Sequence, residues 1–260
     1  MDVMFIGAMG LDSIVYACFL SLLAGLGTSI GGVIIVIVGK LRERHLDFFM
    51  GLASGVMLTV AFLNLIDKAL GMSAGYYTVA VGFVIGAVSI MALDAKIPHV
   101  FSFKEYGPIN ERLVKTGILM AIGITLHNVP EGLAVVVGYA YLPKLGYLVA
   151  LAIALHNIPE GIATAAPLYA AGMRRGRVLT ITFLSGLAEP LGALIGSFIL
   201  ISPSEFVLAL MLACAGGVMT YVTADELIPT AHAHGHKHEV AIGITVGFTL
   251  MLILTSAFGL

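Results

Sequence analysis

Eight stretches of this chain are each about 20 residues long or longer and almost wholly apolar. They run roughly over 13–38, 48–70, 76–95, 113–140, 145–171, 178–201, 205–230 and 239–259. A segment crossing about 30 Å of hydrocarbon must satisfy its own backbone, which leaves helices or a closed barrel. Barrel strands are about 10 residues long and alternate in polarity. These runs are longer and continuously apolar, so they read as helices. A soluble domain carries about 25% charged residues, whereas this chain carries 11% against 59% hydrophobic. The expected fold is an all-α integral membrane protein, a single transmembrane domain over 1–260. The longest connection, 96–112, has no room for a soluble domain.

The connections differ sharply in basic residues. Eleven of the thirteen lysines and arginines fall in the odd-numbered connections or at their edges: Lys40, Arg42 and Arg44; Lys96, Lys104, Arg112 and Lys115; Arg174, Arg175 and Arg177; and Lys237. Only Lys68 and Lys144 fall in the others. Cytoplasmic loops carry the basic excess, so the odd connections are expected in the cytoplasm and both termini on the periplasmic or extracellular side of the cell (inner) membrane. No basic residue precedes Lys40, so the first run lacks the n-region of a signal peptide and is expected to stay as a span. Cys18 and Cys214 imply no disulfide framework. The net charge of −2, with no basic patch, excludes a nucleic-acid partner; the lipid bilayer is the expected surrounding.

Two of the apolar runs carry the same polar signature. HNVPEG begins at His127 and HNIPEG at His156. His127 and Glu131, like His156 and Glu160, are spaced i, i+4 and share a helix face. Pro130 and Pro159 lack the N–H that would bond the carbonyls of Leu126 and Leu155, so each is expected to kink its helix and free an oxygen. The connection between the two runs is short, so the spans should be antiparallel neighbours whose motifs converge. A carboxylate at the bilayer centre costs at least about 2.5 kcal/mol. Glu131, Glu160 and Glu189 have no lysine or arginine in the bundle to match them. The missing counter-charge points to a cation or to protons. Two imidazoles, two carboxamides (Asn128 and Asn157) and two carboxylates suit Zn2+, and also Fe2+, Mn2+, Co2+ or Cd2+; a magnesium or calcium site has no need of histidine.

Further polar residues are candidates for the pathway. Glu189 sits before Pro190 in SGLAEPLG and reads as a site residue. Glu226, in TADELIP, reads as either a gate or a helix-end carboxylate, and Asn64, in FLNLID, as either a pathway group or a hydrogen bond between helices. HAHGHKH places His232, His234, His236 and His238 in the last connection, where a flexible loop could collect metal, with His99 as a helper from the third. Small-residue pairs Gly27/Gly31, Gly51/Gly55, Gly82/Gly86, Gly192/Gly196 and Gly243/Gly247 each read G-x-x-x-G, a packing seam in lipid.

Together the paired HNVPEG and HNIPEG, SGLAEPLG, DELIP and eight spans with both termini outside closely resemble the ZIP (Zrt-, Irt-like) metal transporters, above all their prokaryotic ZupT-type zinc-uptake branch. The resemblance covers nearly the whole chain. It implies eight helices in a 3+2+3 arrangement, the first and last three related as an inverted repeat by a pseudo-twofold axis. It also implies a metal site of one or two ions on kinked helices four and five. By motif match the ligands are His127, Asn128, Glu131, His156, Asn157 and Glu160, with Glu189 as the sixth-helix carboxylate. The resemblance further implies inward movement of zinc by a sliding bundle, and a homodimer. That branch usually has an acid where this chain has Asn64, and the family's histidine-rich loop commonly follows the third helix rather than the seventh.

The function expected is transport of divalent transition-metal cations, zinc first, into the cytoplasm. The alternatives are a proton-coupled carrier of another solute and an intramembrane metalloprotease. H-N-x-P-E lacks the glutamate directly after the first histidine that a protease helix needs, and no G-x-x-x-x-G-K-[ST] motif supports an ATP-driven pump. No enzymatic activity is expected.

Overall fold

The computed structural model describes residues 10–39, 42–94, 111–200 and 204–260. Among them are eight long helices and no strand. They are α1 (Leu11–Val38), α2 (Glu43–Leu70), α3 (Tyr76–Asp94), α4 (Glu111–Tyr141), α5 (Pro143–Ala170), α6 (Arg175–Ile199), α7 (Glu205–Ala231) and α8 (Lys237–Phe258). All but α3 are long and apolar enough to cross a membrane, and the apolar part of α3, Tyr76–Ala92, is shorter. At about 1.5 Å per residue, the 19 residues of α3 still reach close to the thickness of a hydrocarbon core.

The helices differ in regularity. Backbone stays α-helical through Pro130 in α4 and through Pro159 and Pro167 in α5. Instead, α2 widens to a π-turn over Val60–Ile66 and α7 does the same over Thr223–Leu227. α6 is interrupted at Leu187, one residue after Gly186 and two before Glu189. Ser204 caps α7, its hydroxyl accepting from the Val207 N–H at 3.2 Å.

The packing falls into pairs. α1 lies along α5, α4 along α6, α2 along α8 and α3 along α7, while α4 and α5 form a hairpin. The pairs are held at backbone distance by the G-x-x-x-G glycines. A Cβ at Gly51 or Gly55 would meet backbone of α8, and one at Gly82 or Gly86 would meet α7. α5 is the most enclosed helix, whereas α8 is largely open on its apolar side, with Ile242, Val246, Leu252 and Ile253 exposed. In a membrane protein that outward apolar surface faces lipid.

Candidate metal centre

The α4–α5 hairpin brings the two motifs together by simple arithmetic. A single residue, Leu142, in extended conformation separates the helices, and Pro143 opens α5, where its missing N–H costs nothing. His127 lies 15 residues before Leu142 and His156 lies 14 after it, so they sit at nearly equal depth. Glu131 is 11 residues from the turn and Glu160 is 18, so one carboxylate falls nearer the turn than His156 and the other farther from it. At about 1.5 Å per residue, His156 is bracketed by two carboxylates. The structure has this arrangement: His156 Nε2 lies 3.1 Å from Glu131 Oε1 and 3.5 Å from Glu160 Oε1. One ligand atom from each of the three residues falls within 4.8 Å of the others, and all three are buried.

The asparagines orient this group and tie it to its neighbours. Asn128 donates through Nδ2 to the Ser185 carbonyl on α6 at 2.9 Å. Asn157 donates to the Ala24 carbonyl on α1 at 3.1 Å and to Glu189 Oε1 on α6. Both amides thus spend their N–H groups on fixed acceptors, which leaves the Oδ1 atoms of Asn128 and Asn157 without a donor. Glu131 Oε2, Glu160 Oε2 and Glu189 Oε2 are likewise buried without a donor. Five buried oxygens that can only accept are costly in a low-dielectric interior. Among the described residues, the buried polar ones include these three glutamates and no lysine or arginine. A divalent cation satisfies such a set, and two carboxylates with an imidazole form a donor group typical of zinc.

The remaining candidates fall elsewhere. His127 is buried but outside the three-residue ligand group, and Glu189 joins the cluster through Asn157. Asn64 lies in the π-turn of α2, fully buried, and donates to Thr255 Oγ1 of α8 at 3.2 Å. That is an interhelical hydrogen bond. Glu226 lies in the π-turn of α7 with its side chain outside the described residues, as is all of His99. The histidine run spans the turn between α7 and α8 and the first residues of α8, and its His234 and His236 lie against Asp47.

Sequence reasoning passed over Asp47, Ser185 and the glycine that closes each motif. A Cβ on Gly132 would overlap the Glu189 carbonyl oxygen, and one on Gly161 would overlap that of Thr28. Both glycines directly follow a candidate ligand glutamate, a signal present in the motif itself.

The pairing of Asn64 carries its own prediction. Hydrogen bonds between membrane helices are worth about 0.6 kcal/mol on average. Asn64→Leu should lower the thermal unfolding midpoint slightly and leave metal uptake near the wild-type rate. A large loss of uptake with unchanged stability would instead make Asn64 part of the pathway.

A family model described as ZIP Zinc transporter matches residues 104–255. Similar proteins include three named "Zinc transporter ZupT". The one from Chlorobium luteolum is 40% identical over 255 residues, covering 91% of this chain and 96% of that protein. The Chlorobaculum parvum protein is 38% identical over 262 residues, covering 94% and 97%. The Corynebacterium efficiens protein is 36% identical over 260 residues, covering 93% and 97%.

Proposed function

This chain belongs to the ZIP family of zinc transporters, and from that premise we propose that it carries Zn2+ into the cytoplasm through a site on α4 and α5. It is a multi-pass membrane transporter of divalent metal, not an enzyme. The observation that carries the site is the set of donorless buried oxygens around Glu131, His156 and Glu160. In this reading the ion sheds water as those three groups replace its shell. Asn128, Asn157 and Glu189 supply further oxygens, and His127 serves as an adjoining ligand one turn from Glu131. Two ions can share such a set. Ligands of this kind compete with protons for the cation, so release on the cytoplasmic side is favoured when the carboxylates take up protons.

The helix pairs support the remaining architecture. Exchanging α1 with α6, α2 with α7, α3 with α8 and α4 with α5 turns the pair α1–α5 into α6–α4 and the pair α2–α8 into α7–α3. The two π-turns, in α2 and α7, also exchange. This exchange supports a 3+2+3 inverted repeat within one domain. One bundle, α1, α4, α5 and α6, contains the metal group. The other, α2, α3, α7 and α8, is the frame against which it slides. Both termini face the periplasm or exterior, and the exposed apolar face offers room for a homodimer. Fe2+, Mn2+, Co2+ and Cd2+ are expected to compete with zinc because the donor set accepts all of them.

Flux into proteoliposomes loaded with a zinc-sensitive dye tests this reading, with orientation fixed by cysteine labelling. With Cys18 and Cys214 replaced, Lys144→Cys should react with an impermeant maleimide from the face where zinc enters. Arg174→Cys should react only from the opposite face. Zinc flux blocked by excess Cd2+ or Co2+ is the expected result. Flux of another solute without zinc flux would establish a different carrier.

A further inference from the structure

One helical turn from the metal group, on the side away from the α4–α5 turn, each of α1, α4, α5 and α6 carries a hydroxyl. Thr164 follows Glu160 by four residues in α5, and Ser185 precedes Glu189 by four in α6. Thr125 precedes Asn128 by three in α4. Thr28 of α1 follows by four residues Ala24, whose carbonyl oxygen accepts from Asn157. Residues three or four apart share a helix face, so each hydroxyl stacks one turn beyond a residue of the site. The Thr125 and Ser185 hydroxyls lie 3.0 Å apart, and both reach the Ala121 carbonyl oxygen, at 2.6 and 3.4 Å. A Cβ on Gly27 would meet Ala154 and Asn157, and one on Gly31 would meet Ile158 and Gly161, so α1 and α5 run in the same sense. A Cβ on Gly161 would lie 2.9 Å from the Thr28 Cα, so Thr28 packs against α5 between Glu160 and Thr164.

Thr28 and Thr164 differ from the bonded pair. Both are fully buried, and neither hydroxyl has a hydrogen-bond partner. A hydroxyl inside a helix can bond the carbonyl four residues back. Ser54, Thr59, Ser197 and Thr223 do so here, at 2.7 to 2.9 Å. Thr28 and Thr164 forgo that bond, and the Ala24 carbonyl that Thr28 would use accepts from Asn157 instead. An unsatisfied buried hydroxyl costs about 1–3 kcal/mol, so two of them beside the site need a reason. The opposite side of the metal group is apolar. One turn toward Leu142 the helices present Val135, Ala152, Ile153 and Ala193, all fully buried. Among the described residues, Ser21 of α1 is the unpartnered buried hydroxyl on that side.

An ion leaving three buried ligands must regain water, and an apolar wall gives it no partner. A hydroxyl has two lone pairs and one proton, enough to hold a hydrating water or the ion itself weakly. Passage needs such contacts, favourable enough to enter and weak enough to leave. We propose that Thr28 and Thr164 are pathway residues, the first polar groups that a partly hydrated divalent cation meets on leaving the Glu131–His156–Glu160 group. The bonded Thr125–Ser185 pair closes the layer between α4 and α6, so the ion moves off along α5 and α1. This role rests on the transport reading above, and with the orientation given there the layer is the cytoplasmic exit.

Zinc flux into proteoliposomes, read beside equilibrium dialysis of Zn2+ against the full-length protein in detergent, tests the proposal. Thr28→Val and Thr164→Val keep the shape of the side chain and remove the hydroxyl. Each should lower the maximal zinc flux about 10-fold, the effect of one lost hydrogen bond to a charged group. Zinc affinity at the central site should stay at the wild-type value. The unfolding midpoint should hold or rise, because no bonded group is lost. Thr164→Ser, which keeps a hydroxyl, should transport like the wild type. Full flux in the two valine variants overturns the proposal. Slow flux with weakened zinc binding also overturns it, by making these hydroxyls part of the central site. A wild type that binds zinc but moves none overturns the transport reading and this role with it. With Cys18 and Cys214 replaced, Thr164→Cys reads water access directly. Methanethiosulfonate ethylammonium should modify it and Zn2+ should slow the reaction, whereas no modification overturns the pathway.

Discussion

Replacing Glu160 with glutamine should reduce zinc uptake into proteoliposomes to less than about one hundredth of the wild-type rate while leaving the protein folded. The side chain keeps its shape but loses its charge, and its Oε1 is one of the atoms gathered around His156 Nε2. Removing even an outer partner of a metal ligand costs about 10–100-fold, so losing a direct ligand should cost more. Stability should move the other way. Glu131, Glu160 and Glu189 are buried, and among the described residues no lysine or arginine is buried with them; neutralising one of several crowded buried charges relieves repulsion and desolvation. The expected signature is therefore an inactive protein with an unchanged or higher unfolding midpoint. Glu131→Gln should behave alike. His127→Ala should lose less, because His127 lies outside the three-residue group. Radiolabelled zinc uptake beside a thermal unfolding curve reads both quantities. Near-normal uptake by Glu160→Gln would remove Glu160 from the site, whereas loss of uptake with a collapsed unfolding midpoint would mark it as a structural residue.

The reach of the sequence here follows the range of the interactions involved. The apolar runs declare helices because a backbone in hydrocarbon has to bond within its own segment, a local requirement. The hairpin site is nearly local as well. With one residue between α4 and α5, the depth of each motif residue follows from counting away from Leu142. The G-x-x-x-G pairs announce close approach but not the partner. Nothing in Gly86 names the Cys214 carbonyl that it packs against, because helix pairing is decided by how whole surfaces interlock. The bond from Asn128 to Ser185 and the contact of Asp47 with His234 are of that second kind. Pro130 and Pro159 are expected to free the carbonyls of Leu126 and Leu155, and the α-helical pattern runs on through both. The irregular turns fall in α2 at Val60–Ile66, in α6 at Leu187 and in α7 at Thr223–Leu227, and in the last two a proline, Pro190 or Pro229, follows closely and removes the N–H that would bond the carbonyl of Gly186 or Asp225.

Gly132→Ala, the addition of one methyl group, should disable transport as thoroughly as the loss of a ligand. A Cβ at Gly132 would overlap the Glu189 carbonyl oxygen and come within 2.7 Å of its carbon and 2.8 Å of the Ala193 nitrogen. Gly192 meets the Val129 carbonyl of α4 in return, so α4 and α6 touch backbone to backbone at both points. Neither partner is a side chain that can turn aside. The helices must separate by more than about 1 Å, and closely packed interiors do not absorb that without loss. Overpacking of this kind costs about 1–3 kcal/mol. The functional cost is larger because Gly132 follows Glu131 and its contact is Glu189 itself, so separation pulls two of the buried carboxylates apart. Gly196→Ala, which would press on the side chains of Leu133 and Val136, should be milder because those can shift. Gly176→Ala, with nothing within 4 Å, should be neutral or slightly stabilising in its helix. Uptake and unfolding midpoint measured across the three variants should fall in that order. If Gly132→Ala transports zinc like Gly176→Ala, backbone contact between α4 and α6 is not what holds Glu131 in register with Glu189.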